Sequence, residues 1–333
     1  MAEKILEVKD LRTYFYVGDG ELRAVDGLTY SVDKGQCVAI VGESACGKSV
    51  SALSIMRLIP YPPGIIVGGE IIFDGKDILK LDEVEMRHIR GNRIAMVFQE
   101  PTTSLNPVLS IKRQLTEALE IHRGMKGVTA RNEAVNLLKL VGIPNPERRI
   151  NDYPYQFSGG MQQRIMIAMA LSCNPALLIA DEPTTSVDVT VQAQLLEVIN
   201  NLRTQFGTSV IIITHNLGVV ARYADAVNVM YAGRLVEGGS TEDIYNNPKH
   251  PYTVGLIASV PRLDRPRKGA LNTIEGLPPN LARLSKTVCA FANRCKYAID
   301  KCNQQRPELR EVGPGHVAAC FRSDEIKQLS EAG

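Results

Sequence analysis

Phe157-Ser158-Gly159-Gly160-Met161-Gln162-Gln163-Arg164 is the stretch on which the reading of this chain turns. A serine and two glycines stand at what reads as the start of a helix. The hydroxyl, the close backbone approach that glycine permits and the positive end of a new helix make a turn suited to a phosphate oxygen. Far upstream, Gly42-Glu43-Ser44-Ala45-Cys46-Gly47-Lys48-Ser49 fits the G-x-x-x-x-G-K-S pattern in full. The backbone N–H groups of such a loop cradle phosphates, Lys48 neutralises the β- and γ-phosphates, and Ser49 offers its hydroxyl to magnesium. The loop alone signals a nucleotide, and the second turn narrows the class. If residue 45 needs positive φ, alanine there is a local cost of about 1 kcal/mol.

Working outward, the apolar run Val38-Ala39-Ile40-Val41 feeds the loop, and a helix is expected from near Lys48. Leu177-Leu178-Ile179-Ala180 runs into Asp181-Glu182, and Val210 to Ile213 runs into Thr214-His215. Short apolar runs separated by helical patterns predict a parallel sheet covered on both faces, with ligands at the carboxyl ends of its strands. Asp181 is placed to hold magnesium, and Glu182 to orient an attacking water as general base. Read alone, Asp-Glu-Pro also suits a helix cap. Gln99, after Val97-Phe98, is placed to reach the magnesium or the water, and His215 the γ-phosphate.

Residues from about 100 to 173 read as an inserted helical subdomain. Ile111–His122 and Thr129–Val141 carry helical apolar spacing, the second with Thr129 as its expected N-cap. After Gly238-Gly239, prolines and glycines become frequent, and four of the seven cysteines fall in 289–320. We place a boundary near 240, giving residues 1–240 and 241–333. The 333 residues carry a net charge of +2, which argues against a nucleic-acid partner. Residues 241–333 are near +4 and the remainder near −2, with Arg262, Arg265, Arg267 and Lys268 the densest basic run. Apolar runs are too short to span a bilayer and the N-terminus lacks a signal-peptide pattern. The expectation is a cytosolic protein whose cysteines are thiols or metal ligands.

The order of phosphate loop, Gln99, Ser158-Gly159-Gly160, Asp181-Glu182 and His215 resembles the ATP-binding cassette (ABC) family over about residues 4–240. The resemblance implies an α/β P-loop NTPase fold with a helical subdomain, and MgATP hydrolysis. It also implies a dimer in which ATP lies between one subunit's loop and the other's Ser158-Gly159-Gly160 turn. Asp188 matches the D-loop aspartate and Phe15 best matches the adenine-stacking aromatic, with Tyr14 and Tyr16 as alternatives. Departures from the common pattern are Ala45, where the family has glycine, Phe157, Met161, Ser186-Val187 and Asn216.

A narrower resemblance covers nearly the whole chain. Glu100-Pro101-Thr102-Thr103-Ser104-Leu105-Asn106-Pro107, His250-Pro251-Tyr252-Thr253 and the block Cys289-x5-Cys295-x6-Cys302-x17-Cys320 look like the oligopeptide and dipeptide importer ATPases, with nickel importers as relatives. That implies a paralogous ATPase partner in a heterodimer, two membrane permeases, an extracytoplasmic peptide-binding protein, and a peripheral place on the cytoplasmic face of the plasma membrane. Some members carry a four-iron four-sulfur cluster on this cysteine pattern. Zinc or free thiols are the alternatives for Cys289, Cys295, Cys302 and Cys320. A non-transport ABC ATPase is the rival class, but Lys48 and Asp181 lie only 133 residues apart and no coiled-coil heptads intervene. A redox-sensing module built on the cysteine block is another.

Overall fold

The structure is a computed structural model; it describes residues 3–18, 20–183, 189–260, 274–326 and 328. In chain order the elements are β1 (Lys4–Val17), β2 (Gly20–Asp33), β3 (Cys37–Val41), α1 (Lys48–Ile55), β4 (Gly64–Phe73), β5 (Lys76–Asp77), α2 (Glu83–Ile89) and β6 (Ile94–Val97). The helices α3 (Pro101–Ser104), α4 (Ile111–Arg123), α5 (Gly127–Leu140), α6 (Pro146–Arg149) and α7 (Gly159–Leu171) follow. Then come β7 (Leu177–Asp181), α8 (Val189–Phe206), β8 (Ser209–Thr214), α9 (Leu217–Tyr223), β9 (Ala226–Tyr231), β10 (Arg234–Ser240), α10 (Thr241–Asn246), α11 (Pro251–Ala258), β11 (Arg310–Gly313) and β12 (His316–Ala318). Asp188, Ser186-Val187 and the basic run Arg262 to Lys268 lie outside the described residues.

The chain forms two compact units. One comprises residues 1–6, 32–37 and 73–213; the other comprises 7–31, 38–72 and 214–333. In the first, β6, β7 and β8 pair in parallel, Ile94 opposite Leu177 and Leu177 opposite Ser209. All residues of β7 and β8 are buried, as continuous apolar runs require in a covered parallel sheet. Helix α7 packs on β6 and on α4 and α5. Ile111, Leu115, Leu119, Ala134, Leu138 and Ile165 are almost wholly buried, which is what the helical spacing demands.

The start of α5 differs from expectation. Its N-cap is Lys126 rather than Thr129, and no side chain caps it. Gly127, at φ +56°, turns the chain into the helix before Thr129 is reached. A backbone turn here takes the place of a hydroxyl cap.

In the second unit β3 pairs in parallel with β9, while β10 and β12 continue the sheet antiparallel. The apolar runs expected to pair in parallel do so, and the sheet turns antiparallel only beyond β9. The link from Tyr231 to Arg234 is two residues, Ala232 and Gly233, both at positive φ, a turn that joins only antiparallel neighbours. The core of this unit gathers Val41, Val227, Val229 and Tyr231 with Ile244, Tyr252 and Phe291. Residues on both sides of 240 share this core, and Ala319 N–H donates to Val236 O at 2.8 Å.

Candidate functional site

The phosphate loop lies in the second unit. It leaves the fully buried β3 at Gly42 and enters α1 at Lys48. A Cβ at Gly42 would lie 2.3 Å from Met230 O, and one at Gly47 would lie 2.1 Å from Ala24 O. Both positions admit only glycine. The Lys48 ammonium folds back over the loop and donates to Gly42 O and Glu43 O, each at 2.9 Å. Ser49 is half-buried on the first turn of α1. Cys46, buried within the loop, is a thiol whose pKa burial pushes up.

Ala45 stands at φ +61°, the left-handed region that disfavours an L side chain. Ala45→Gly removes that strain but adds freedom to the unfolded chain, so the net change is expected between zero and about 1 kcal/mol in favour of the fold. Urea unfolding of the two proteins measures it; a loss of stability would show that the loop does not need positive φ there.

The aromatic candidates separate by burial. Tyr14 is 7% exposed and its hydroxyl donates to Asp26 Oδ1 at 2.8 Å; Asp26 is also paired with Arg234. Tyr14 is thus committed to the interior. Phe15 is half-buried, its ring against Gly64, and Tyr16 is half exposed.

In the first unit the ends of β6 and β7 bring two predicted residues together. Gln99 Nε2 donates to Glu182 Oε2 at 3.1 Å across 83 residues of sequence. Adjacent parallel strands in register end side by side, so the residues just beyond them meet. Asp181 closes β7 and is 5% exposed. Glu182 sits at φ +44°, and its N–H donates to Ile213 O at 2.9 Å. A non-glycine residue there carries about 1–2 kcal/mol of strain, a common mark of a functional position.

Ser158 is the N-cap of α7, its Oγ accepting from Met161 N–H at 3.4 Å. Gln162 Nε2 braces the turn by donating to Pro154 O and Phe157 O. A Cβ at Gly159 would meet nothing within 4 Å, so this glycine faces open space. The two departures from the usual signature share a neighbour. Arg149 lies 4.1 Å over the Phe157 ring and donates to Met161 Sδ at 3.2 Å. His215 follows β8 and is exposed; Asn216, another departure, caps α9 by accepting from Gly218 and Val219 N–H.

Cys289, Cys295, Cys302 and Cys320 are free thiols lining one small cavity with His250, Phe291 and Phe321. Cys289 N–H donates to Cys302 O at 2.9 Å, tying the two segments. Burial pushes Cys289 up to about 11 and Cys320 up to about 12. Among the described residues no three His, Cys, Asp or Glu side chains converge to hold a metal ion, so neither the zinc nor the iron–sulfur expectation finds a preformed site.

A phosphate loop on a buried strand, with a carboxylate pair at the carboxyl end of another, defines a P-loop nucleotide-hydrolysing ATPase. Similarity to known proteins narrows the class. The ABC transporter family matches residues 25–185, and the oligopeptide/dipeptide transporter C-terminal region matches residues 236–302. The oligopeptide transport ATP-binding protein OppD of Bacillus subtilis is 50% identical over 94% of this chain and 87% of its own length. OppD of Salmonella typhimurium is 48% identical over 96% of this chain and 94% of its own. Among solved structures, the dimeric post-hydrolysis state of the ATP-binding cassette MJ0796 bound to ADP and Pi superposes with a TM-score of 0.64. It is 27% identical and covers 71% of this chain and 98% of that one. The chain belongs to the ABC transporter ATPase family, and its reaction is ATP hydrolysis.

One grip on the loop has no counterpart among the sequence motifs. Glu43 N–H donates to the Tyr252 hydroxyl at 2.8 Å, and Arg294 holds the Glu43 carboxylate. Tyr252 is visible as part of His250-Pro251-Tyr252-Thr253, whereas nothing local marks Arg294.

Proposed function

We propose that this chain powers the import of di- or oligopeptides through two partner permeases fed by an extracytoplasmic binding protein. The observation that carries the coupling is the hydrogen bond between Gln99 and Glu182. Glu182 is the carboxylate assigned to the attacking water, and Gln99 directly precedes the segment leading into α3 and the helical subdomain. A change in the water-activating group thereby reaches the helices expected to meet the permeases. Lys48 takes the β,γ-phosphate charge, Ser49 and Asp181 serve the magnesium ion, and Phe15 stacks on adenine. His215 contacts the γ-phosphate. The second ATPase is a paralogue whose site is completed by Ser158, Gly159 and Gly160, and the complex sits on the cytoplasmic face of the plasma membrane. No helix among the described residues is long and apolar enough to cross a membrane, which suits a peripheral subunit. The family names of the relatives support the peptide substrate. Uptake of labelled di-, tri- and pentapeptides in a deletion strain, with and without this gene restored, tests it. Loss and recovery of peptide uptake is expected; loss of nickel uptake alone would overturn the substrate class.

We propose a four-iron four-sulfur cluster, with zinc as the alternative, as the group the four thiols would hold. They line one cavity, and burial raises the pKa of Cys289, Cys295 and Cys320. A four-iron cluster would supply folding energy to this loop-rich segment. Anaerobic purification with iron and sulfide analysis is expected to return iron with matching sulfide, and Cys295→Ser to lower both. Metal-free protein with unchanged melting would leave the four as buried thiols.

A further inference from the structure

Glu43 is an awkward residue for its place. The loop's task is to receive a triphosphate, and a carboxylate within it opposes that charge. Like charges held close together inside a protein repel more strongly than they do in water. The structure shows how the carboxylate is managed. Arg294 meets it with both ends of the guanidinium, Nη1 to Oε2 at 2.6 Å and Nη2 to Oε1 at 2.9 Å. The Arg294 side chain is only 6% exposed.

Every other direction of that guanidinium is also fixed. Nε donates to Glu275 O at 3.0 Å, Nη2 to Ile274 O at 3.4 Å and Nη1 to the Tyr231 hydroxyl at 3.3 Å. The group lies 5.9 Å from the ring centres of Tyr231 and Phe291. The Glu43 backbone is held at the same time, its N–H by the Tyr252 hydroxyl and its carbonyl by Lys48. A planar fork that is anchored on its far side is a device for setting the position of a carboxylate, which a flexible lysine would not do.

We propose that Arg294 is a positioning residue of the phosphate loop, cancelling the charge of Glu43 and holding that side chain away from the nucleotide phosphates. The C-terminal region would thereby set the ATP affinity of the cassette. The inference rests on reading residues 42–49 as the nucleotide loop. The alternative is a bridge that only fastens the C-terminal segment to the loop.

The test is MgATP affinity of the full chain, by fluorescence titration, for four variants. Arg294→Gln keeps a donor but loses the charge, and is expected to weaken binding on the order of tenfold. Arg294→Lys is expected to fall between it and the parent, since charge returns without the fork. Adding Glu43→Gln to Arg294→Gln is expected to restore affinity to within about threefold of the parent, because no uncompensated carboxylate then remains. A bridge that is merely structural predicts no rescue. Normal affinity in Arg294→Gln, or failure of the second substitution to rescue it, overturns the proposal. The fourth variant, Lys48→Ala, separates the two levels. If it too binds normally, the loop reading itself has failed; if it alone loses affinity, only the role of Arg294 has.

Discussion

Glu182→Gln is expected to lower ATP turnover by about a thousandfold while leaving ATP binding in place. General-base assistance contributes about 10²–10⁴-fold in rate, and the amide cannot accept the proton. The amide retains size and hydrogen-bonding ability, so its contact with Gln99 survives with donor and acceptor roles rearranged. The left-handed backbone at residue 182 and its N–H bond to Ile213 O are untouched. Binding without turnover should accumulate an ATP-bound dimer with the second ATPase subunit proposed above. Single-turnover hydrolysis and size-exclusion chromatography with ATP measure the two halves of this result. Turnover within threefold of the parent would remove Glu182 from catalysis and leave the Gln99 contact as a structural tie. A drop in turnover with equal loss of binding would point instead to a misfolded strand end.

Lys48→Ala is expected to weaken ATP binding by about a thousandfold. A cation about 4 Å from a phosphate charge, at an effective dielectric near 20, contributes about 4 kcal/mol. The lysine is 5% exposed and bridges Gly42 O and Glu43 O, so its loss also frees the two carbonyls that shape the loop's entrance. Lys48→Met keeps the apolar stem and separates the roles: affinity should fall as far as in Lys48→Ala, with less loss of stability. Nucleotide titration together with thermal melting decides it. Wild-type affinity in Lys48→Met would show that the phosphate charge is met by another group.

Lys48 and Glu182 are both legible in the amino-acid sequence alone. The loop, the strand that feeds it and the Asp181-Glu182 strand end are visible there because their signals are local. Four or five apolar residues followed by a polar pair is a pattern a short window contains, and the backbone obeys it when both faces of a strand are covered. The start of α7 at Ser158-Gly159 is legible for the same reason, since a cap is made within three residues.

Where the local signal is ambiguous, burial decides. Phe15 reads as the best match with Tyr14 and Tyr16 as close alternatives, and only the fold sends Tyr14 inward, to a partner 12 residues away, Asp26. Thr129 reads as a cap, but Gly127 has already turned the chain. The antiparallel hairpin at Ala232-Gly233 extends the sheet beyond the parallel strands that the apolar runs mark.

The sequence by itself thus determined the class of chemistry: a loop for phosphates, a carboxylate pair, a serine-capped, glycine-rich helix start, and four late cysteines. Tertiary structure alone decided which of these groups meet. Gln99 and Glu182 touch because β6 and β7 lie in parallel register, and Glu43 is gripped by Tyr252 and Arg294 from 209 and 251 residues away. Such contacts have no signature within a window of sequence. They form when burial of many apolar groups brings distant segments together, and only then is the charge of one side chain cancelled by another.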